Sequence, residues 1–491
     1  MNNVPFAENQ LPRANRRLSY LNDVKYDSSA GNLIIGEQAG VGLPSTVTGV
    51  ILLGKEAGEA GDAVKLESIA IGLEAASLGL GDSTIAIGRS ACHGINAKDA
   101  DHAVIIGDRA CTGLSGTYNS DAVVIGTNSG IGGTGASSIA IGDTSSAKGD
   151  RNISIGKNAG LNSASTQSIC IGESAGRGVT SGTLQSNDFI AIGNDVAQAP
   201  DIKSKSISIG SKEINSGFSS ATSDNGIGYG SIAVGTSANA VANSTAKRGD
   251  LSVMIGGACC YNGISGNSVA IGALAGTTNP PSEGTVSIGF NAGSGTSSSV
   301  KSKSVQIGDS SNIAGSGTQA VAVGYNSNAG GDYSQAYGVN AAATGISAIA
   351  IGAGAQAQAV GAIGIGGRYN GGSSYGTLGT KAVVIGDGTA LNGNVGEGSV
   401  VIGESCALSG TGTDNVIIGA FANSSTSTNN SICINANGSN LAAVSSGLVV
   451  KPIVVGGGGT AQTIKPPSDS GFTSFLCYNP TSGEIRSVPF S

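Results

Sequence analysis

Short apolar runs with an alternating pattern recur along most of the chain. Between Ser68 and Gly88 the phrases SIAIG and TIAIG follow one another, each with large β-branched residues on either side of a small one. Alternation with a period of two and β-branched side chains predicts a short β-strand. The glycine that ends each phrase predicts a corner, because a residue with a Cβ atom would resist it. Each phrase therefore predicts one strand followed by one turn.

The phrase recurs about 24 times between Gly36 and Asn435, mostly at intervals of 14 to 19 residues. A short period sustained over this length predicts a solenoid, whose coils stack as parallel strands about 4.8 Å apart. The chain is thus expected to be an all-β parallel solenoid. With that rise, 24 coils would form a rod of roughly 115 Å.

The alternation also predicts which side chains point into the coil. We expect the two outer residues of each phrase to point inward and the middle residue to point outward. A small residue three places after the glycine, such as Ala75 or Ala292, indicates a narrow interior. Outward middle residues such as Ala70, Ile105 and Met254 would then form an apolar stripe, which predicts an interface and a homo-oligomer. The predicted core positions are Ile69, Ile71, Gly72, Ile85, Ile87, Gly88, Val269, Ile271 and Gly272.

Composition and charge narrow the class of protein. Glycine makes up 82 of 491 residues but does not fall at every third position, which excludes collagen. Apolar residues are 39% and charged residues only 12%, a balance that argues against a disordered chain. The net charge of −7 gives no electrostatic reason to expect nucleic-acid binding. The first residues have no apolar core typical of a signal peptide, and no apolar run approaches the roughly 18 residues that span a bilayer, so membrane insertion is not expected.

The repeated phrases resemble the head repeats of trimeric autotransporter adhesins. The match to SVAIG at Ser268–Gly272 is close, and the resemblance covers about Gly31 to Asn440. It implies that each chain forms a left-handed parallel β-roll and that three rolls, intertwined or side by side, form a homotrimer. The coils here are longer and less even than those of that family, and apolar heptads typical of its stalk are not found in this sequence.

The C-terminal part is similar to the end segment of structural and fibre proteins from tailed phages and large DNA viruses. The similarity is carried by GLVVKPI at Gly447–Ile453 and SFLCYNPTSGEIRSV at Ser474–Val488. The second stretch predicts a β-hairpin around NPTSG, which would cap an open solenoid end. We therefore expect an N-terminal attachment arm or cap at 1–30, a repeat shaft at 31–440 and a C-terminal cap at 441–491.

These patterns predict a non-enzymatic virion structural protein, a rigid trimeric fibre or spike on the virion surface, made in the host cytoplasm without a signal peptide. The N-terminal arm would bind a virion or tail attachment protein. Loops that protrude from the rigid coils would recognise a host-surface glycan or protein. Two alternatives stay open, a bacterial cell-surface adhesin of the trimeric autotransporter head type and a polysaccharide depolymerase tailspike. The candidate recognition residues are Phe218, Asn225, Tyr369 and Tyr375.

Little in the sequence points to catalysis, and no cofactor or metal is expected. Only two histidines are present, and the carboxylates are too scattered to nominate a catalytic pair. Cys92 and Cys111 each lie four residues after a phrase glycine, so they should stack on consecutive coils within disulfide range. His93 and His102 lie in the same stretch and leave a metal site open, but stacked free thiols are the favoured interpretation.

Overall fold

The chain folds into β-strands joined by tight turns, without a helix among the residues described. The structure is a computed structural model, and it describes residues 24–59, 64–93, 101–112, 120–131, 133–161, 165–177, 187–196, 205–211, 229–236, 250–260, 265–276, 283–294, 303–313, 317–367, 377–388, 394–407, 411–424, 428–436, 438–443, 446–451, 474–478 and 484–489. Within these ranges, no helix has the length and apolar character needed to cross a membrane.

The chain divides into two compact units, Met1–Ala258 and Cys259–Ser491. The division falls inside the predicted repeat shaft, and the predicted boundaries at residues 30 and 440 stay predictions. Each phrase forms a strand of three residues or slightly more, and within each unit successive phrase strands pair in parallel. Ile69, Ala70 and Ile71 lie opposite Ile85, Ala86 and Ile87, so like positions of successive phrases stack on one another.

The first unit begins with a strand that runs opposite to the others and continues as a parallel stack. Its strands are β1 (Val24–Asp27), β2 (Asn32–Ile35), β3 (Ile51–Leu53), β4 (Ile69–Ile71), β5 (Ile85–Ile87), β6 (Val104–Ile106), β7 (Val123–Ile125), β8 (Ile139–Ile141), β9 (Ile153–Ile155), β10 (Ile169–Ile171), β11 (Ile190–Ile192), β12 (Ile207–Ile209), β13 (Ile232–Val234) and β14 (Val253–Ile255).

The second unit continues the pattern and adds short strands on a second side of the coil. Its strands are β15 (Val269–Ile271), β16 (Val286–Ile288), β17 (Val305–Ile307), β18 (Val321–Val323), β19 (Asn328–Ala329), β20 (Gln335–Tyr337), β21 (Ala342–Ala343), β22 (Ile349–Ile351), β23 (Gln356–Ala357), β24 (Ile363–Ile365), β25 (Val383–Ile385), β26 (Val400–Ile402), β27 (Val416–Ile418), β28 (Ala422–Ser424), β29 (Ser431–Asn435), β30 (Leu441–Ala443), β31 (Gly447–Lys451), β32 (Ser474–Tyr478) and β33 (Glu484–Pro489).

The predicted parallel β-solenoid is confirmed. The described residues contain thirteen phrase strands in the first unit (β2–β14) and eleven in the second (β15–β18, β20, β22, β24–β27 and β29). The number agrees with the phrases counted in the sequence. The second sheets, β19–β21–β23 and β28–β30, were not predicted, and the first of them occurs where the coils are shortest.

Glycine is required at the corner that follows each strand. Gly72, Gly88 and Gly272 have φ angles of 136°, 137° and 129°, in a region that side-chain-bearing residues rarely adopt. A Cβ atom at Gly72 would collide with the backbone carbonyl of Gly88, because the corners of successive coils stack directly. The same arrangement places the backbone of Gly289 against Gly272. The predicted role of the glycine is therefore confirmed.

The predicted direction of the strand side chains is wrong. Ile69, Ile71, Ile85, Ile87, Val269 and Ile271 were expected inside the coil, but each is only half-buried. The middle residues point inward instead, and Ala70, Ile105, Met254 and Ile417 are fully buried or within 1% of it. The coil interior is too narrow for the outer side chains, because it also holds the small residue that follows the corner, such as Ala75. Two large β-branched side chains per coil do not fit there, so they form the outer surface.

A ladder of small polar side chains lines the interior at the position just before each strand. Ser, Thr or Asn occupies this position in most coils and is buried. The hydroxyl of Ser68 donates to the carbonyl of Gly81 in the next coil (2.8 Å). Such bonds satisfy backbone groups that would otherwise be buried without a partner. They hold each coil in register with the next.

An antiparallel strand begins the first unit, and antiparallel strands end the second. β1 pairs antiparallel with β2. At the other end, β31 stacks in parallel on β29, and β33 pairs antiparallel with β31. β32 and β33 pair with each other as the predicted C-terminal hairpin, which is thus confirmed. The stretch GLVVK, expected within the C-terminal cap, adds one more parallel strand to the solenoid.

Candidate functional site: the outward strand face

The outward residues of the phrase strands form one continuous surface in each unit, here called the strand face. Because every pairing keeps the same register, the first outward residues form one column and the second outward residues form another. In the first unit the columns run from Leu33 and Ile35 to Val253 and Ile255. Thirteen strands at a spacing of about 4.8 Å make this face about 58 Å long.

Every residue of the strand face in the first unit is isoleucine, valine or leucine. The columns consist of Leu33, Ile51, Ile69, Ile85, Val104, Val123, Ile139, Ile153, Ile169, Ile190, Ile207, Ile232 and Val253, and of Ile35, Leu53, Ile71, Ile87, Ile106, Ile125, Ile141, Ile155, Ile171, Ile192, Ile209, Val234 and Ile255. A surface this long and uniformly apolar is rare on a protein that is monomeric in water.

The strand face of the second unit is nearly as uniform. Its columns begin at Val269 and Ile271, and the exceptions to isoleucine and valine are Gln335 and Tyr337 on β20. The side chains remain accessible, with Ile351 38% and Ile432 43% exposed. Since the neighbouring coil covers the upper and lower flank of each side chain, the exposed part is the flat outer surface.

The chemistry of this surface favours association over catalysis. Its side chains carry neither charge nor hydrogen-bonding groups, apart from Gln335 and Tyr337. The backbone of each strand is already hydrogen-bonded to the adjacent coils, so no edge is offered for strand addition on this face. Burial against a second apolar surface is the favourable process that remains. The apolar stripe that the sequence assigned to the middle residues is thus formed by the outer residues of each phrase.

Charged residues flank this face in the first unit, in the column of residues that directly follow the corner glycines. Arg89 and Asp108 are stacked in this column and form two hydrogen bonds, Nε to Oδ1 at 2.8 Å and Nη2 to Oδ2 at 2.7 Å. The hydrogen bond from Arg89 lowers the pKa of the Asp108 carboxyl, and the same bond raises the pKa of the guanidinium. The rim beside the apolar face is therefore polar and solvated.

Cys92 and Cys111 occupy corresponding positions on consecutive coils. The Cys92 N–H donates to Ala110 O and the Cys111 N–H to Ser129 O, both at 2.8 Å. Both thiols are free and buried. Burial raises the pKa of Cys111 to about 12 and holds that of Cys92 well above its usual value. Since the thiolate is the reactive form, these side chains are inert in the folded protein.

The two histidines are held by separate partners. His93 Nδ1 lies 2.7 Å from the Ser77 hydroxyl. His102 Nδ1 lies 3.7 Å from Asp121 Oδ1 on the solvent-exposed surface. In the parts of the chain that the structure describes, no three His, Cys, Asp or Glu side chains are grouped so that they could hold a metal.

The four candidate recognition residues, Phe218, Asn225, Tyr369 and Tyr375, lie outside the described residues. In comparisons with known proteins, no family model and no curated protein matches the chain.

Sequence reasoning missed the strand face although the signal was present. Alternation with a period of two fits either direction of the side chains, because it separates two faces without saying which is inside. Residue volume separates them. The middle position accepts alanine, serine and even glycine, as in Gly364, whereas the outer positions keep isoleucine or valine almost throughout. A narrow coil places the smaller set inside.

Proposed function

We propose that this chain is a non-enzymatic structural protein that assembles side by side, as a homotrimer, into a rigid fibre or spike on a virus particle. Its surface would serve adhesion or recognition of a host. The N-terminal segment would attach it to a virion or tail protein. The observation that carries this proposal is the strand face, an apolar surface formed by the phrase strands within each unit.

The strand face supports assembly because a single coil buries little apolar surface area. The described interior consists largely of alanine and serine, which offer a small apolar area per coil. Covering two columns of isoleucine and valine would add apolar burial along the whole length of each strand face. A regular flat surface favours an identical surface as its partner, since the same repeat spacing lets the two faces match along their length.

The viral assignment is supported by the similarity of the C-terminal segment to virus fibre proteins. Its two described strands, β32 and β33, form the hairpin that the residue pattern around NPTSG predicts. Repetition of one surface in three copies would convert weak contacts into strong attachment.

Charges placed on the strand face should separate the subunits. In a variant carrying Ile71→Asp, Ile87→Asp and Ile141→Asp, three carboxylates would be buried in the interface, at a cost of several kcal/mol. The wild-type protein is expected to have a light-scattering mass three times the 47.5 kDa of one chain. The variant should have the mass of one chain, while circular dichroism still reports β-structure.

The matched control changes three exposed apolar residues that lie off the strand face. Leu73, Leu78 and Ile131 are 43%, 36% and 39% exposed, and their replacement by aspartate should leave the mass of the wild-type assembly unchanged. A wild-type protein with the mass of one chain would refute the proposal. Equal dissociation of both variants would show that the strand face is not the specific interface.

A further inference from the structure

A second exposed surface lies beside the strand face of the second unit, in the column of residues that directly follow the corner glycines. Four of these residues, here called the aromatic strip, are Phe290, Asp309, Tyr325 and Val339 on consecutive coils. Phe290 and Tyr325 are each 54% exposed and Val339 is 48% exposed. Two aromatic rings therefore stand on one line with a carboxylate between them.

Backbone hydrogen bonds fix the spacing of the strip. The carbonyls of Phe290, Asp309 and Tyr325 accept N–H groups from the next coil at 2.9 Å, from Ser310, Asn326 and Asn340 respectively. Successive strip residues are thus one coil, or about 4.8 Å, apart. Phe290 and Tyr325 are two coils apart, about 9.6 Å along the stack. A rigid backbone holds the rings at this separation.

Polar side chains accompany the aromatic strip on its flank. The residues that follow the strip residues are Asn291, Ser310, Asn326 and Asn340, all with left-handed backbone conformation. Asparagine tolerates this conformation and keeps its amide at the surface. Asn326 donates from Nδ2 to Asn340 Oδ1 at 2.9 Å, and Ser310 donates to Asp309 Oδ1 at 2.7 Å. The row therefore presents both donors and acceptors.

The fold does not require aromatic residues at these positions. In the first unit the same column holds Glu37, Lys55, Leu73, Arg89 and Asp108, and the backbone bonds are equivalent. Charged residues thus satisfy the local structure equally well. The aromatic rings of the second unit are a property of that unit's surface and not of the repeat.

We propose that the aromatic strip of the second unit binds an uncharged glycan chain lying along the stack. Aromatic rings pack against the C–H faces of pyranose rings, and a row of amides, hydroxyls and carboxylates matches the sugar hydroxyls. The repeat of the coils is similar to the length of one sugar unit, so rings two coils apart would contact alternate sugars. The inference deepens the proposed adhesive function and rests on it.

The charge of the strip selects this ligand over other extended polymers. Stacking platforms for single-stranded nucleic acid combine aromatic rings with a positively charged groove. The eight residues of the strip and its flank include no lysine or arginine, and their one charge is the carboxylate of Asp309. A polyanion, whether nucleic acid or sulfated glycan, would be repelled.

The test titrates the purified full-length protein with hexasaccharides of β-1,4-linked glucose and of β-1,4-linked N-acetylglucosamine, using calorimetry and saturation-transfer NMR. A heparin-derived hexasaccharide is the anionic comparison. At least one neutral hexasaccharide should bind. The double variant Phe290→Ala, Tyr325→Ala should lower its affinity by about tenfold or more. The control Tyr333→Ala removes a ring that is 57% exposed in the same unit but outside the strip, and should leave the affinity unchanged.

Absence of binding by both neutral hexasaccharides would overturn the inference, as would tighter binding of the heparin fragment. Equal loss of affinity in the control variant would do the same. A changed light-scattering mass in the double variant would assign the strip to a subunit contact. The mass of the wild-type protein is measured in the same samples. A trimer that does not bind glycan would refute only this inference, and a monomer that binds it would refute only the fibre.

Discussion

At the scale of single residues, the narrow interior decides what each position accepts. Gln306 is an exception, because this long polar side chain occupies the middle position of β17 and is 0% exposed. Neither its Nε2 nor its Oε1 has a hydrogen-bond partner in the described structure, and the Ser287 hydroxyl on the adjacent strand has none either. Unpartnered buried polar groups cost about 1–3 kcal/mol each.

Replacing Gln306 by leucine should therefore stabilise the protein. Leu52 already occupies the same position in β3 with 0% exposure, so a coil of this fold can hold a leucine there. The expected gain is about 1–2 kcal/mol in the free energy of unfolding, measured by urea denaturation. Gln335→Leu is the matched control, because Gln335 is half-buried in an outward position. The free energy of unfolding of this variant should equal that of the wild-type protein. A loss of stability in Gln306→Leu would mean that the amide has a partner, such as a buried water.

At the scale of the coil, side chains join neighbouring turns in both directions. Asn415 is buried before β27 and bonds to the following coil, with Nδ2 donating to Thr428 O (2.8 Å) and Oδ1 accepting the N–H of Ser431 (2.9 Å). Asn429 lies on that following coil and bonds back, accepting the N–H of Thr413 (2.8 Å) at the exposed surface. Two asparagines thus link the same two coils, one inside and one outside.

The two asparagines should differ in their contribution to stability because they differ in burial. Asn415→Ala removes the buried hydrogen bonds of this side chain to the following coil, at an expected cost of about 2–3 kcal/mol. In Asn429→Ala the N–H of Thr413 can bond to water instead, so the expected cost is about 0.5–1 kcal/mol. Urea denaturation of both single variants measures the difference. Equal costs would contradict the view that the internal polar ladder sets the register of the coils.

These contacts also show where prediction from the sequence ends. The strands and the glycine corners were predictable, because a period of two and a residue without a Cβ atom are local properties. The directions of Ile71 and Ala70 do not follow from the period alone, since a period of two is symmetrical, and only the smaller volumes at the middle position identify the inner side. The bonds of Asn415 depend on which residue of the next coil lies opposite, and this register follows only from the stacked backbone. The strand face was therefore visible as a pattern but assigned to the wrong residues.

At the scale of the whole molecule, a parallel stack has two open edges, and each needs a cover. An uncovered strand exposes a row of backbone donors and acceptors that can pair with another copy. β1 covers β2 through four residue pairs, from Val24 opposite Ile35 to Asp27 opposite Asn32. β33 covers β31 through two described pairs, Leu448 opposite Ile485 and Val449 opposite Glu484. Antiparallel strands suit this task, because they interrupt the parallel order that another coil would extend.

Removal of residues 474–491 should therefore convert the C-terminal end into a site of end-to-end association. The deletion takes away β32 and β33 and leaves β31 with one unpaired edge. We expect the mass from sedimentation to rise with protein concentration and particles in negative-stain images to lengthen in one direction. Deletion of residues 1–23 is the control, because it leaves both β1 and β33 in place and should keep the mass of the intact protein. A C-terminal deletion whose mass is independent of concentration would show that β31 is a sufficient end by itself, and that the hairpin has a purpose other than capping.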